Sequence, residues 1–173
     1  MTGASNWGVT FSTGERILKL DIDHRISQED LLRCTQIPLD KGEVLRFPRF
    51  IADEKKREPQ RGPLTPHSNS FLMMRDSFLE AGMYNERFSG HYGYDDKDFF
   101  RRIEGKLVVR VEESISLETK PEFRTPGKRN RSVNRFRFKM GHAGQLPQRL
   151  LRNVEILYSK GNSASDVPTS LFR

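Results

Sequence analysis

Short apolar bursts set among charged residues punctuate this chain, and their spacing predicts its elements. In Arg16 to Asp21 the apolar Ile17, Leu18 and Leu20 stand between Arg16, Lys19 and Asp21. This weak alternation predicts a strand followed by a loop. Ser27 then precedes Gln28-Glu29-Asp30. A hydroxyl that accepts from a helix's first amides, with acids in the first turn, predicts a helix start. That helix runs through Leu31, Leu32 and Cys34 and ends before Pro38. Glu43 to Phe47 predicts a second strand, and 52–68, with Pro59, Gly62, Pro63 and Pro66, predicts a mobile loop.

Ser70 to Met74 is a short apolar run, read as a strand, and Arg75 to Gly82 reads as a helical turn or two closed by Gly82. From Asp95 to Ile103 a helix places Phe99, Phe100 and Ile103 on one face with charges opposite. Leu107 to Val111 predicts another strand. From Pro121 to Lys139 the pattern dissolves into Arg, Asn, Ser and Pro. Helical spacing returns over 145–158 through Leu146, Leu150, Val154 and Leu157. Strands and helices in this order predict an α/β chain, a mixed sheet with flanking helices followed by a tail that contains a short helix.

Composition narrows the class. A chain of 173 residues suits one domain plus a tail, and 35% apolar against 31% charged residues supports a modest core. No run approaches the roughly eighteen apolar residues of a membrane span. The first six residues, Met1 to Asn6, lack the basic-then-apolar order of a signal peptide. Cys34 is the single cysteine, so no internal disulfide forms and a cytoplasmic residence is expected. Its place among apolar residues of a helix predicts burial and argues against thiol catalysis. Zinc spacings, phosphate loops, dinucleotide fingerprints and nucleophile elbows are missing from the sequence.

The net charge of +7 is unevenly placed. Residues 124–173 carry eleven Lys or Arg against two acids, a net +9, whereas the preceding 123 carry nineteen against twenty-one, a net −2. Arg124, Lys128, Arg129, Arg131, Arg135, Arg137 and Lys139 fall close together, interleaved with Phe136 and Phe138. Such a tail is either a solvated terminus or a binder of anionic surfaces, nucleic acid or another polyanion.

Two acidic clusters carry the candidate chemistry. Asp21 and Asp23 close the first strand, and alternation points both side chains the same way. They are either solvent-facing acids or oxygen ligands for a divalent cation, one direct and one through water or ribose. Asp95 and Asp96 follow the glycine-spaced loop Gly90-His91-Tyr92-Gly93-Tyr94 and open a helix. They are either acids favoured by the helix's positive end or a positioned base and its neighbour. Tyr92 and Tyr94 are core aromatics or, with Gly93, a sugar-stacking loop. His24, His67 and His91 show no partner pattern.

Three passages, in order, resemble glycosyltransferases with the GT-A fold. Asn6-Trp7-Gly8 followed by Thr13-Gly14-Glu15 and Arg16 to Asp23 is similar to their "RN-x-G … A-x-GE-x-hhh-hD-x-D" passage. Ser70 to Phe88 looks like their acceptor-side segment "hhh-R-x-x-F-x-x-hGGFDE-x-F", with Met83 at its second glycine. Gly90 to Phe99 is similar to the "GWGGEDDDL" of the galactosyltransferase C-terminal region, with Asp95-Asp96 for the usual Glu-Asp. The resemblance spans residues 6 to about 111. It implies a nucleotide diphosphate sugar as donor, a glycan or other hydroxyl as acceptor, and inversion at the transferred sugar. It also implies Mn²⁺ or Mg²⁺ on the DxD acids Asp21 and Asp23. His142 would be the late third ligand, and Glu118 stands where such a histidine often sits. Asp96 would be the base, and Asp95 would bind acceptor hydroxyls. Residues 1–123 would form the catalytic and acceptor half and 124–173 a basic tail, and the base-binding half expected before the DxD is missing. A different class stays open: an inactive remnant or binding module whose tail grips a polyanion.

Overall fold

The structure, a computed structural model, describes residues 2–51, 66–119 and 130–142. It is a mixed α/β protein with two mixed sheets flanked by helices, in keeping with the sequence pattern. The helices are α1 (Thr2–Phe11), α2 (Gln28–Gln36), α3 (Arg75–Glu80), α4 (Asp95–Ile103) and α5 (Ser132–His142), with a 3₁₀ turn at Glu86–Phe88. The strands are β1 (Arg16–Lys19), β2 (His24–Ile26), β3 (Glu43–Arg46), β4 (Arg49–Ile51), β5 (Phe71–Met74), β6 (Val108–Val111) and β7 (Leu117–Thr119). The loop expected over 52–68 lies outside the described residues up to 65, and the helix expected over 145–158 lies outside them entirely.

The chain divides into two compact units, which interleave along the sequence. The strand-bearing unit comprises Glu15–Phe78 and Ile103–Lys128. Its larger sheet runs β1-β5-β3-β6 and its smaller one β2-β7-β4. β5 pairs antiparallel with both β1 and β3, and β3 pairs parallel with β6. Phe71, Leu72 and Met73 of β5 are all but fully buried, each such side chain stabilising the fold by about 1.5–3 kcal/mol. Leu45, Phe47, Leu72, Ile115 and Leu117 pack with Cys34 of α2 into one cluster, edged by Leu18, Leu20, Ile26 and Met74. The α2 start forms as its sequence predicts. Ser27 is extended (φ −68°, ψ 157°), and its hydroxyl accepts from the Asp30 amide at 2.9 Å. At the far end Arg16 Nη1 donates to the Cys34 and Ile37 carbonyls at 3.0 and 2.8 Å, a cation at the helix's negative end. Burial pushes the Cys34 thiol above its ordinary pKa, which suits an inert core group.

The second unit comprises Met1–Gly14, Leu79–Arg102 and Arg129–Arg173. Two of its helices depart from the sequence reading. The first is α1, whose sequence holds Gly3 and Gly8, poor helix formers. A buried amide holds it: Asn6 Nδ2 donates to the Tyr84 carbonyl and to Glu86 Oε1, and its Oδ1 accepts from the Tyr84 amide, each at 2.9 Å. The other is α5, which forms where the apolar pattern dissolves. Asn130 Oδ1 accepts from the Ser132 amide and hydroxyl at its start, and fully buried Asn134 anchors its inner face. In both helices tertiary hydrogen bonds do what periodicity would otherwise announce.

Candidate functional site

In the strand-bearing unit the acids of Asp21-Ile22-Asp23 lie on a tight turn, a correction to the strand-end placement. β1 stops at Lys19, and the His24 amide donates back to the Asp21 carbonyl at 3.0 Å, closing a four-residue turn into β2. Alternation therefore does not govern these side chains. Ile22 is 83% exposed at the tip. The Asp21 amide donates to Ser70 Oγ at 3.0 Å, so the residue before β5 staples the turn.

Two histidines that show no partner pattern in the sequence join these acids. His67 Nδ1 stands 3.4 Å from Asp21 Oδ2, while Asp21 Oδ1 accepts from the Ile22 amide at 3.0 Å. His24 is buried and shares a 2.6 Å hydrogen bond between its Nδ1 and Ser70 Oγ. Its Nε2 lies 3.8 Å from Asp23 Oδ1 and has no hydrogen-bond partner among the described residues. The two rings meet edge to face at 4.9 Å. Burial first, and then His67, hold the His24 imidazole below its ordinary pKa, while Asp23 and Asp21 pull it up. Among the described residues no three His, Cys, Asp or Glu converge into a group that could hold a metal ion.

The register explains the gathering. β1 and β5 pair antiparallel with Lys19 opposite Phe71. Extending that pairing brings residues just before β5 alongside those just after β1. The signal was thus in the strand pairing, and no local motif carries it.

The second acid pair opens α4 in the other unit. Asp95 and Asp96 are half-buried in the helix's first turn. The loop before them is held in left-handed backbone at Gly90 (φ 82°), Gly93 (φ 81°) and Tyr94 (φ 70°). The Asn134 carboxamide donates to the carbonyls of Phe88, His91 and Gly93 at 3.0, 3.0 and 2.8 Å. Arg137 of the same helix donates to the Arg87 carbonyl. The Arg131 guanidinium lies 5.2 Å from the Tyr92 ring centre. Tyr94 packs on Phe138 at 5.4 Å, with Lys97 Nζ 5.2 Å from its ring centre. Sequence reasoning missed Asn134, because a buried asparagine in a basic stretch leaves no periodic signal.

Further along α4, buried Asp98 pairs with Arg101 Nη2 at 2.9 Å and Arg102 Nε at 2.8 Å. Arg102 also donates to the carbonyls of Ala81 and Met83. It thereby clamps a second left-handed turn, Gly82 (φ 79°) and Met83 (φ 55°). Glu118 sits on β7 opposite Arg25. His142 ends α5 in the unit that holds the second acid pair, and its side chain lies outside the described residues.

No helix among the described residues is long and apolar enough to cross a membrane. No protein-family model matches this chain, and no curated protein matches it.

Proposed function

We propose that this chain is a glycosyltransferase of the GT-A type, moving a sugar from a nucleotide diphosphate donor to an acceptor hydroxyl with inversion. The observation that carries the reading is a backbone one. Met83 and Tyr94 are the two non-glycine residues at positive φ among those described. Met83 stands where the resembling acceptor-side pattern has its second glycine. Tyr94 stands where "GWGGEDDDL" has the glycine before its acids. A non-glycine residue in this region costs about 1–3 kcal/mol. Retaining the conformation after losing the glycine is what a functional loop under constraint would do. A second observation supports it: Asn6, from the first passage, is hydrogen-bonded to Tyr84 and Glu86, from the second.

In this mechanism Asp96 is the base. Its carboxylate takes the acceptor hydroxyl's proton while that oxygen bonds to the sugar's anomeric carbon. The bond from that carbon to the diphosphate oxygen breaks, and its electron pair leaves with the nucleoside diphosphate. Asp95 and the Tyr92-Gly93-Tyr94 loop orient the acceptor hydroxyls.

The Asp21-Ile22-Asp23 turn would supply the protein's share of a divalent-cation site. Cations that serve nucleotides take one or two carboxylates and draw their other oxygens from phosphate and water. When bound, the cation neutralises charge on the departing diphosphate. The test is release of nucleoside diphosphate from a panel of nucleotide sugars with Mn²⁺ and simple sugar acceptors. Release above the uncatalysed rate is expected, and none from any donor would overturn the reading.

A further inference from the structure

We infer that His24 Nε2 and Asp23 form a chelating pair for a divalent transition metal, with Ser70 fixing the ring and Asp21 committed elsewhere. The inference deepens the proposed function by naming which residues meet the cation and which cations suit them. It rests on that reading only for the claim that a diphosphate supplies the remaining ligands.

The argument begins with an orphan. The His24 side chain is fully buried, and its Nε2 has no hydrogen-bond partner among the described residues. A buried polar nitrogen left unsatisfied carries an uncompensated desolvation penalty, so its placement calls for a ligand. The atom facing it is Asp23 Oδ1 at 3.8 Å, too far for a hydrogen bond. Two ligand atoms about 2.1 Å from one cation stand about 3.0 Å apart at a right angle and about 3.4 Å at a tetrahedral one. About half an ångström of side-chain movement closes the gap around a metal.

Ser70 holds the other ring nitrogen, and metal ligation through Nε2 requires the tautomer with its proton on Nδ1. Its oxygen accepts the Asp21 amide with one lone pair. The same oxygen shares a 2.6 Å hydrogen bond with His24 Nδ1, and with the ring proton on Nδ1 the Nε2 lone pair faces Asp23. A ligating imidazole characteristically donates its other N–H in this way.

The two acids of the turn then divide their work. Asp21 has one oxygen on the Ile22 amide and the other 3.4 Å from His67 Nδ1. It orders the turn and sets His67 beside the site. Nitrogen ligation selects the metal, because imidazole suits borderline transition ions whereas Mg²⁺ and Ca²⁺ prefer all-oxygen sites. Mn²⁺, Co²⁺ and Zn²⁺ are therefore the expected occupants. A two-residue pair completed by water or phosphate oxygens is compatible with the lack of any convergent group of three.

The experiment is pulsed electron paramagnetic resonance on the full-length chain with Mn²⁺ alone, no nucleotide present. The expected result is a histidine nitrogen coupled to the metal, shifted when the protein carries isotopically labelled histidine. His24→Gln should abolish the coupling and weaken Mn²⁺ binding about tenfold or more, and Asp21→Asn should keep the coupling. The labelled parent protein answers the question even where a variant fails to fold. Bound Mn²⁺ with no nitrogen coupling, or coupling that persists in folded His24→Gln, would overturn the pair. Coupling without any reaction on nucleotide sugars would leave the pair standing and sink the glycosyltransferase reading. Turnover without nitrogen coupling would do the reverse.

Discussion

His24 and Asn134 show how single buried polar groups organise this molecule. The His24 ring sits below its ordinary pKa of 6.5, chiefly through burial. Below about pH 6.5 the unfolded chain takes up a proton that the native ring resists, so stability is lost as pH falls through that value toward the native pKa. Urea unfolding should therefore show a lower midpoint at about pH 5.5 than at about pH 7.5, and the difference should shrink in His24→Gln. An unchanged pH dependence in that variant would place the sensitivity elsewhere. Asn134, at no exposure, donates to three loop carbonyls. Asn134→Ala leaves them without that donor at a cost of about 1–3 kcal/mol, and Asn134→Asp should cost more by facing them with a carboxylate. Hydrogen exchange over residues 88–94 should rise in both variants. A rise spread evenly over the whole chain would argue against a local clamp.

At the scale of elements, β1, β3, β5, β6 and α2 were legible from apolar spacing and cap chemistry. The acid pair at the start of α4 was legible for the same reason, whereas the three-residue strands β2, β4 and β7 of the smaller sheet were too short to announce themselves. What was not legible depends on partners distant in sequence. α1 needs Asn6 on the Tyr84–Glu86 segment, and α5 needs Asn134 on the loop that precedes α4. The DxD turn hid its histidines because they meet through the β1–β5 register. In α5 the basic residues also divide by job. Arg137 and Phe138 hold the loop and Tyr94, whereas Arg135, Phe136 and Lys139 are exposed. If α5 grips a polyanion, the exposed set carries the affinity. Arg135→Ala/Lys139→Ala should then elute earlier from heparin and flatten the salt dependence of binding, as fewer counterions are released, with melting unchanged. Identical elution of variant and parent would show that this face is only solvated.

For the whole molecule, the central claim gives the two acid pairs different work in the two units. On the proposed reading the DxD turn would serve the donor's diphosphate, and the α4 start would serve the acceptor. Tyr94, directly before Asp95, and Met83 hold left-handed backbone, and buried amides and guanidinium groups keep those turns in place. The roles of Asp95 and Asp96 separate kinetically, since a base acts in the transition state whereas an acceptor ligand already acts in the ground state. The most direct measurement is steady-state transfer from a nucleotide sugar by the parent, Asp96→Asn and Asp95→Asn, with each variant's fold verified by its melt. The account predicts that Asp96→Asn lowers kcat by about 10²–10⁴-fold, while Asp95→Asn chiefly raises the acceptor KM. Full activity in folded Asp96→Asn would contradict it.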